Sequence, residues 1–244
     1  TGVAQISFFF SVAVLFALGI MDDLKDLSAK YKFIVQAGLA ALIAVSGIRI
    51  TSFEGLLGIH ELPIMAQYSF TFLAIVGITN AFNLIDGIDG LAGGLGFMSL
   101  ITLGIFLTMS GDVNTALIAF ALAGGILAFM YFNLNPARIF MGDTGSLTLG
   151  GILAVLSILL KEQIFFLIIG FLFIAETLSV IIQRTHFRYT KKKYGTGKRV
   201  FLCAPIHHHF EMSGWSENTI ARRYTLLILL LSVIAALVAI PIAP

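Results

Sequence analysis

The chain has 244 residues, 58% of them hydrophobic and 11% charged, with a mean hydropathy of +0.98. A soluble domain carries about 25% charged residues, so this much apolar surface cannot be hidden in an ordinary soluble core. A net charge of +2 is too small to suggest nucleic acid, the single cysteine (Cys203) excludes a disulfide scaffold, and 22 phenylalanines exclude disorder. What remains is an all-α, polytopic helical membrane protein.

The chain opens on Thr1-Gly2 without a basic n-region, so no cleavable signal peptide is expected. It also lacks an initiator Met, and a fragment is expected. A transmembrane helix needs about 20 mostly apolar residues. That rule predicts eight spans, at roughly 3–20, 33–50, 68–85, 91–109, 115–133, 145–160, 164–183 and 224–241. Gly111-Asp112 and Lys161-Glu162 mark tight turns. The stretch 51–67 is a longer loop with Glu54, His60, Glu61 and Pro63. The segment 184–223 is the only long polar stretch and is expected to be a long cytoplasmic loop. No second domain and no repeat is evident, so 1–244 reads as one integral-membrane domain.

Orientation follows from the basic residues. Lys25, Lys30, Lys32, Arg138, Arg184, Arg188, Lys191, Lys192, Lys193, Lys198, Arg199, Arg222 and Arg223 all fall in the connections 21–32, 134–144 and 184–223. Of the 15 basic residues, only Arg49 and Lys161 lie in the opposite connections. The basic side is read as cytoplasmic, which puts both ends of this chain outside.

The acids gather on that same side. Asp22-Asp23 close the first span, Asp86 and Asp89 sit in the turn after the third, and Asp143 precedes the sixth. His207-His208-His209 lie in the long polar segment. Clustered carboxylates repel unless a cation or a basic partner offsets them. Mg²⁺ suits such a place, because it takes one or two carboxylates and completes its shell with water and substrate phosphates. With nearby Lys and Arg for an anionic substrate, these are the parts of a phosphoryl-transfer site.

Each feature alone has a plainer reading. An Asp at a helix end is commonly a cap, and Asp86-Gly-Ile-Asp89-Gly reads equally as a tight turn. Asn80, Asn83 and Asp86 share one helical face, as a cavity stripe or an interhelical hydrogen-bonding seam would. The triple His has no Cys or further His at zinc-ligand spacing. The run Lys191–Lys193 suits anionic lipid headgroups. Glu176, inside an apolar span, requires a partner that the sequence does not name.

Taken in order, four blocks resemble the polyprenyl-phosphate N-acetylhexosamine-1-phosphate transferase superfamily. They are Asp22-Asp23 with its downstream lysines, Asn80 to Leu91, Asn133 to Gly150, and His207–His209. The second half is most similar to the phospho-N-acetylmuramoyl-pentapeptide transferase branch, through Glu176 to Gln183 and through Ala204-Pro205-Ile206-His207-His208-His209-Phe210-Glu211 with Gly214-Trp215. The first half, with Asn83-Leu84-Ile85-Asp86 and a compact Asp22-to-Lys32 loop, looks at least as much like the N-acetylglucosamine branch. The family has ten spans, so the two N-terminal ones are expected to be missing here.

The resemblance implies a Mg²⁺-dependent reaction at the cytoplasmic face of the bacterial inner membrane. UDP-N-acetylmuramoyl-pentapeptide and undecaprenyl phosphate would give lipid I and UMP. It further implies catalytic roles for Asp22, Asp23, Asp143 and His207, with Asp143 as the metal ligand. Asp86 and Asp89 would position nucleotide or diphosphate, Phe140 would stack on uracil, and Asn133 would line the same pocket. Lys30, Lys32, Asn80, Asn83, Gln183, His208 and His209 complete the expected substrate-binding set, and a homodimer in the membrane is a family expectation. Three alternatives are the sister reaction with UDP-N-acetylglucosamine, an anion transporter, and a catalytically dead structural protein, against which the retained acids and histidines argue. Transporters usually place ionisable residues near the midplane on broken helices, whereas these acids lie at one boundary.

Overall fold

The computed structural model describes residues 2–55, 58–161 and 163–239. Among the described residues the regular structure is wholly helical: α1 (Gly2–Lys25), α2 (Ala29–Val45), α3 (Ile64–Ile85), α4 (Leu91–Met109), α5 (Val113–Asn133), α6 (Gly142–Leu160), α7 (Gln163–Tyr194), α8 (Ile206–Met212) and α9 (Glu217–Ala239). All except α2 and α8 are long and apolar enough to cross a membrane. The chain is a multi-pass membrane protein.

Two expectations need correction. The span placed at 33–50 is α2, which starts at a Ser28 cap and stops at Val45, because the chain turns through Gly47 at φ +103°. Its 17 residues reach about 25 Å, short of the roughly 30 Å hydrocarbon thickness. The segment 184–223 is not a long loop. The apolar run of α7 ends near Gln183, but 184–194 contains no Gly or Pro, so the helix continues to Tyr194 and ends before Gly195 (φ +75°). The histidines then lie on α8, and α9 begins at Glu217, seven residues before the predicted span at 224. Of the expected turn at Lys161-Glu162, Lys161 is left-handed (φ +62°) and Glu162 lies outside the described residues, as do residues 240 and 241 of the last predicted span.

Two helices form the inside of the bundle. α4 and α6 are mostly buried, whereas α1, α5, α7 and α9 expose apolar side chains such as Phe9, Phe16, Leu117, Leu127, Phe171 and Leu230 toward the bilayer. α6 packs on α1 and α3, α4 on α5 and α9, and α7 on α3 and α9. Lipid supplies no hydrophobic drive between helices, so close backbone approach and interhelical hydrogen bonds matter more. A Cβ at Gly150 of α6 would lie 2.9 Å from Thr79 Cα of α3. Thr102 donates to Ser232 at 2.8 Å, joining α4 to α9. The helices alternate in direction, which brings the C-terminal ends of α1, α3 and α7 and the N-terminal ends of α2, α4, α6 and α9 to one end of the bundle.

Candidate active site

The two acids of α1 stand at the wrong end of their helix, since carboxylates are disfavoured near a helix C-terminus. The structure offsets each one. Asp22 is buried and accepts Leu27 N–H at 2.7 Å and the Lys32 ammonium at 2.8 Å. Asp23 lies across the N-terminus of α6, where it accepts the N–H groups of Asp143 (2.8 Å) and Thr144 (3.0 Å) and the Thr144 hydroxyl (2.5 Å). It thereby satisfies donors that no intrahelical carbonyl can reach. Two glycines permit the approach. A Cβ at Gly19 would lie 2.4 Å from Thr144 Cα, and one at Gly142 (φ +62°) would lie 2.9 Å from Asp23 Oδ2.

Asp143, in the first turn of α6, is at the favourable end of its helix dipole. Its Oδ2 accepts from Lys32 at 3.0 Å and its Oδ1 from Asn83 Nδ2 at 2.9 Å. Asn83 also donates to Ser146 at 2.8 Å. Lys32 therefore bridges Asp22 and Asp143, half-buried ion pairs that solvent screens less than surface ones. Asn80 faces α2 instead, donating to Gln36 at 2.6 Å, and it is part of a hydrogen-bonding seam.

Asp86 caps the end of α3. Burial, reinforced by the negative charges of Asp143 and Asp23, pushes its carboxyl up to about 6, against the opposing effect of the Gly142 N–H. The next residue, Gly87, faces the histidine helix: a Cβ there would meet His207 Nε2 at 3.0 Å and His208 Nε2 at 3.1 Å.

The three histidines diverge. His207 is fully buried with Nδ1 3.2 Å from Glu176 Oε2, within ion-pair reach but off the hydrogen-bonding axis. His208 Nδ1 pairs with Glu211 at 2.8 Å, and His209 Nδ1 accepts Leu202 N–H at 3.2 Å. Among the described residues no group of three or more His, Cys, Asp or Glu could hold a metal. The partner of Glu176 is now plain. It accepts the Tyr224 hydroxyl at 2.5 Å and the Ile206 and His207 N–H groups at 2.8 and 3.4 Å, knotting α7, α8 and α9 together.

Other expected residues fall in different places. Asn133 does not line an open pocket. It is 4% exposed and spends its amide on Gly90 N–H and Ile139 C=O, bracing the turns around the site. Asp89 faces the same bracing loop, accepting from Asn135 and Ala137. Gln183 uses both amide atoms on the backbone of Val200 and Phe201. Phe140 is 76% exposed, as an open stacking face would be, and Lys30 is exposed. Sequence reasoning passed over Gln36, Thr144, Ser146 and Tyr224. Gln36 carried a usable signal, being an amide inside an apolar span.

Acids joined by a shared ammonium, with the histidine helix packed on the adjacent Asp86-Gly87 turn, make a polar site at one end of a membrane helical bundle. The family model for "Glycosyl transferase family 4" matches residues 5–161, and the chain belongs to that family. A phospho-N-acetylmuramoyl-pentapeptide-transferase of Wolbachia sp. subsp. Drosophila simulans is 42% identical over 244 aligned residues, covering 91% of this chain and 73% of its own length. Proteins of the same name from Staphylococcus saprophyticus and Listeria welshimeri are each 40% identical, covering 83% and 86% of this chain and 66% and 67% of their own lengths.

Proposed function

We propose that this protein transfers phospho-N-acetylmuramoyl-pentapeptide from UDP to undecaprenyl phosphate at the cytoplasmic face of the membrane, giving lipid I and UMP. The observation that carries the reading is the bridge of Lys32 between Asp22 and Asp143, beside an α6 N-terminus held by Asp23. It supports the reading because one ammonium and one helix dipole would then lie near the meeting point of two anionic substrates. The similarity to pentapeptide transferases along most of the chain selects the donor.

In the reaction, an oxygen of the lipid phosphate bonds to the sugar-bearing phosphorus. The bond from that phosphorus to the bridging oxygen breaks, and UMP leaves with the electron pair. A phosphate monoester is already largely ionised near neutrality, its second pKa being about 6, so little base catalysis is required. Neutralising the gathered charge is the larger demand. Lys32 and the α6 N-terminus, already paired with Asp22, Asp143 and Asp23, reduce the negative charge that the substrate phosphates would meet. His208, part-exposed with Nε2 toward the Asp86-Gly87 turn, can donate to diphosphate oxygens, whereas the buried His207 packs beneath that turn. Phe140 offers a face for uracil.

Mg²⁺ fits this donor set. The oxygens are hard, and the carboxylates of Asp22, Asp23 and Asp143 outnumber the one ammonium of Lys32 that pairs with them, so the cluster has room for further positive charge. Asp143 would hold it, with water and substrate phosphates completing the shell, and when bound it would neutralise diphosphate charge. An apolar cavity of about 320 Å³ between α3, α4, α6 and α7 suits a prenyl chain. The test is UMP release by the purified protein with undecaprenyl phosphate and Mg²⁺, using UDP-N-acetylmuramoyl-pentapeptide and UDP-N-acetylglucosamine side by side. Release with the first donor alone is expected. Release with the second alone would overturn the assignment.

A further inference from the structure

A pocket of about 460 Å³ opens where the end of α7 meets the segment 199–204. Arg184, Arg188 and Arg199 line it together with Val180, Phe187 and Leu202. Arg184 and Arg188 are four residues apart and share a helix face. Neither forms an ion pair or hydrogen bond among the described residues, and Arg199 donates only to the Leu202 carbonyl at 3.1 Å. No carboxylate lines the pocket. Three guanidinium groups in one pocket repel one another unless an anion joins them. Guanidinium is the group best matched to phosphate, through paired N–H donors and weak hydration.

Depth narrows the choice of anion. The apolar stretch of α7 runs to Ile182, and Leu178, Ile181 and Ile182 are exposed, as lipid-facing side chains should be. Arg184 and Arg188 follow within the next two turns, at the level of the bilayer's phosphate groups. The pocket thus has an apolar wall continuous with the lipid-facing surface and a cationic wall at headgroup level. That is the shape of an amphiphile with a phosphate at one end. The exposed run Lys191–Lys193 is different. It stands farther along the helix in solvent, with Lys193 over the rings of Tyr189 and Tyr194.

We infer that this pocket binds the phosphate of an anionic glycerophospholipid of the surrounding bilayer. Gln183, one of the expected substrate-binding residues, also lines the pocket, but its amide is spent on Val200 and Phe201, and none of the lining residues belongs to the Asp22–Asp143 cluster, where the phosphate of a lipid acceptor would have to react. The lipid would brace the segment 199–204, whose Leu202 N–H rests on His209. The inference does not depend on the proposed reaction.

Cys203 lines the pocket, is partly exposed and is the chain's single cysteine, so it reports occupancy without any substitution. The experiment measures the rate of Cys203 labelling by a small thiol reagent, with protein in micelles doped with phosphatidylglycerol, phosphatidylcholine or undecaprenyl phosphate. Phosphatidylglycerol is expected to slow labelling and phosphatidylcholine is not. The Arg184→Gln/Arg188→Gln double variant should need at least about tenfold more phosphatidylglycerol for the same protection. Lys192→Gln/Lys193→Gln, which removes equal charge outside the pocket, should label as the wild type does. Native mass spectrometry of the wild type should show phosphatidylglycerol retained in preference to phosphatidylcholine. Equal labelling in all lipids would overturn the inference, as would protection that survives the arginine changes or is lost equally with the lysine changes. Protection by undecaprenyl phosphate at a lower mole fraction than phosphatidylglycerol would assign the pocket to the acceptor instead.

Discussion

Asp23 holds Asp143 by its backbone: the carboxylate of one accepts the N–H of the other at 2.8 Å and takes in Thr144 beside it. Two acids 120 residues apart are thereby fixed through a helix end. Asp23→Asn keeps the shape but gives up the charge that favours the α6 N-terminus. Its cost in stability should be about 1 kcal/mol, typical of a weakened cap. Turnover should fall much further, by tenfold or more, because Asp143 and its neighbours lose their anchor. Thermal unfolding and steady-state UMP release, measured on the same preparation, check both. Normal turnover would show that Asp143 needs no such anchor.

Lys32 is the counter-ion of two acids at once. Lys32→Met leaves Asp22 and Asp143 without it, and the unfolding temperature should drop. Added Mg²⁺ should then recover more stability in the variant than in the wild type, since an ion can take the vacated charge. Equal responses to Mg²⁺ in the two proteins would argue against a divalent site at Asp143.

Asp86 predicts a pH dependence with a definite sign. Its carboxyl is raised from 3.8 to about 6, so between those values the folded chain binds more protons than the unfolded one. Its contribution to stability therefore declines as pH rises through that window and stays low above it. Asp86→Asn should be the more stable protein above about pH 6, by on the order of 2 kcal/mol, with the gap closing below about pH 4. Unfolding curves of both proteins in chelator across that range decide it, and parallel curves would show that Asp86 does not titrate there.

The knot around Glu176 should behave as a coupled unit. Tyr224→Phe removes the hydroxyl that Glu176 accepts at 2.5 Å and should cost about 1–3 kcal/mol, the range for a buried acceptor that loses its partner. Combined with Glu176→Gln the losses should be less than additive. Simple additivity would mean that the two side chains act separately.

Asp112 serves as the control at the other end of the bundle. It caps α5, accepting Thr115 N–H at 3.1 Å and the Thr115 hydroxyl at 2.6 Å. Asp112→Asn should cost less than about 1 kcal/mol and leave turnover unchanged. Loss of turnover in a well-folded variant would contradict the placement of the site at the opposite end.

Most of the bundle is legible in the sequence, because a bilayer demands long apolar runs and charged residues mark their ends. The errors share one cause. Apolar content locates the membrane, not the helix, so α7 and α9 extend past it into polar sequence and α2 stops before its apolar run does. At the site, Asp22, Asp23, Asp86 and Asp143 were legible as charges brought to one boundary by alternation. Their division of labour was not. That Asp23 holds backbone while Lys32 bridges two acids depends on the close contact of α1 and α6 at Gly19. Asn133 and Gln183 look like substrate-facing amides in sequence, and only the fold reveals that they hold backbone groups.

The burial of Glu176 has a consequence for how the protein is made. When α7 leaves the insertion machinery, its acid has none of its final partners, since they lie at residues 206, 207 and 224. Stranding an acidic side chain in lipid costs about 3 kcal/mol, so α7 is a reluctant span until the rest of the chain arrives. Synthesis of α8 and α9 supplies the hydroxyl and N–H groups that settle it. A stretch translated later therefore locks an earlier helix in place, and a chain interrupted before α8 would carry an unsatisfied acid that marks it as unfinished.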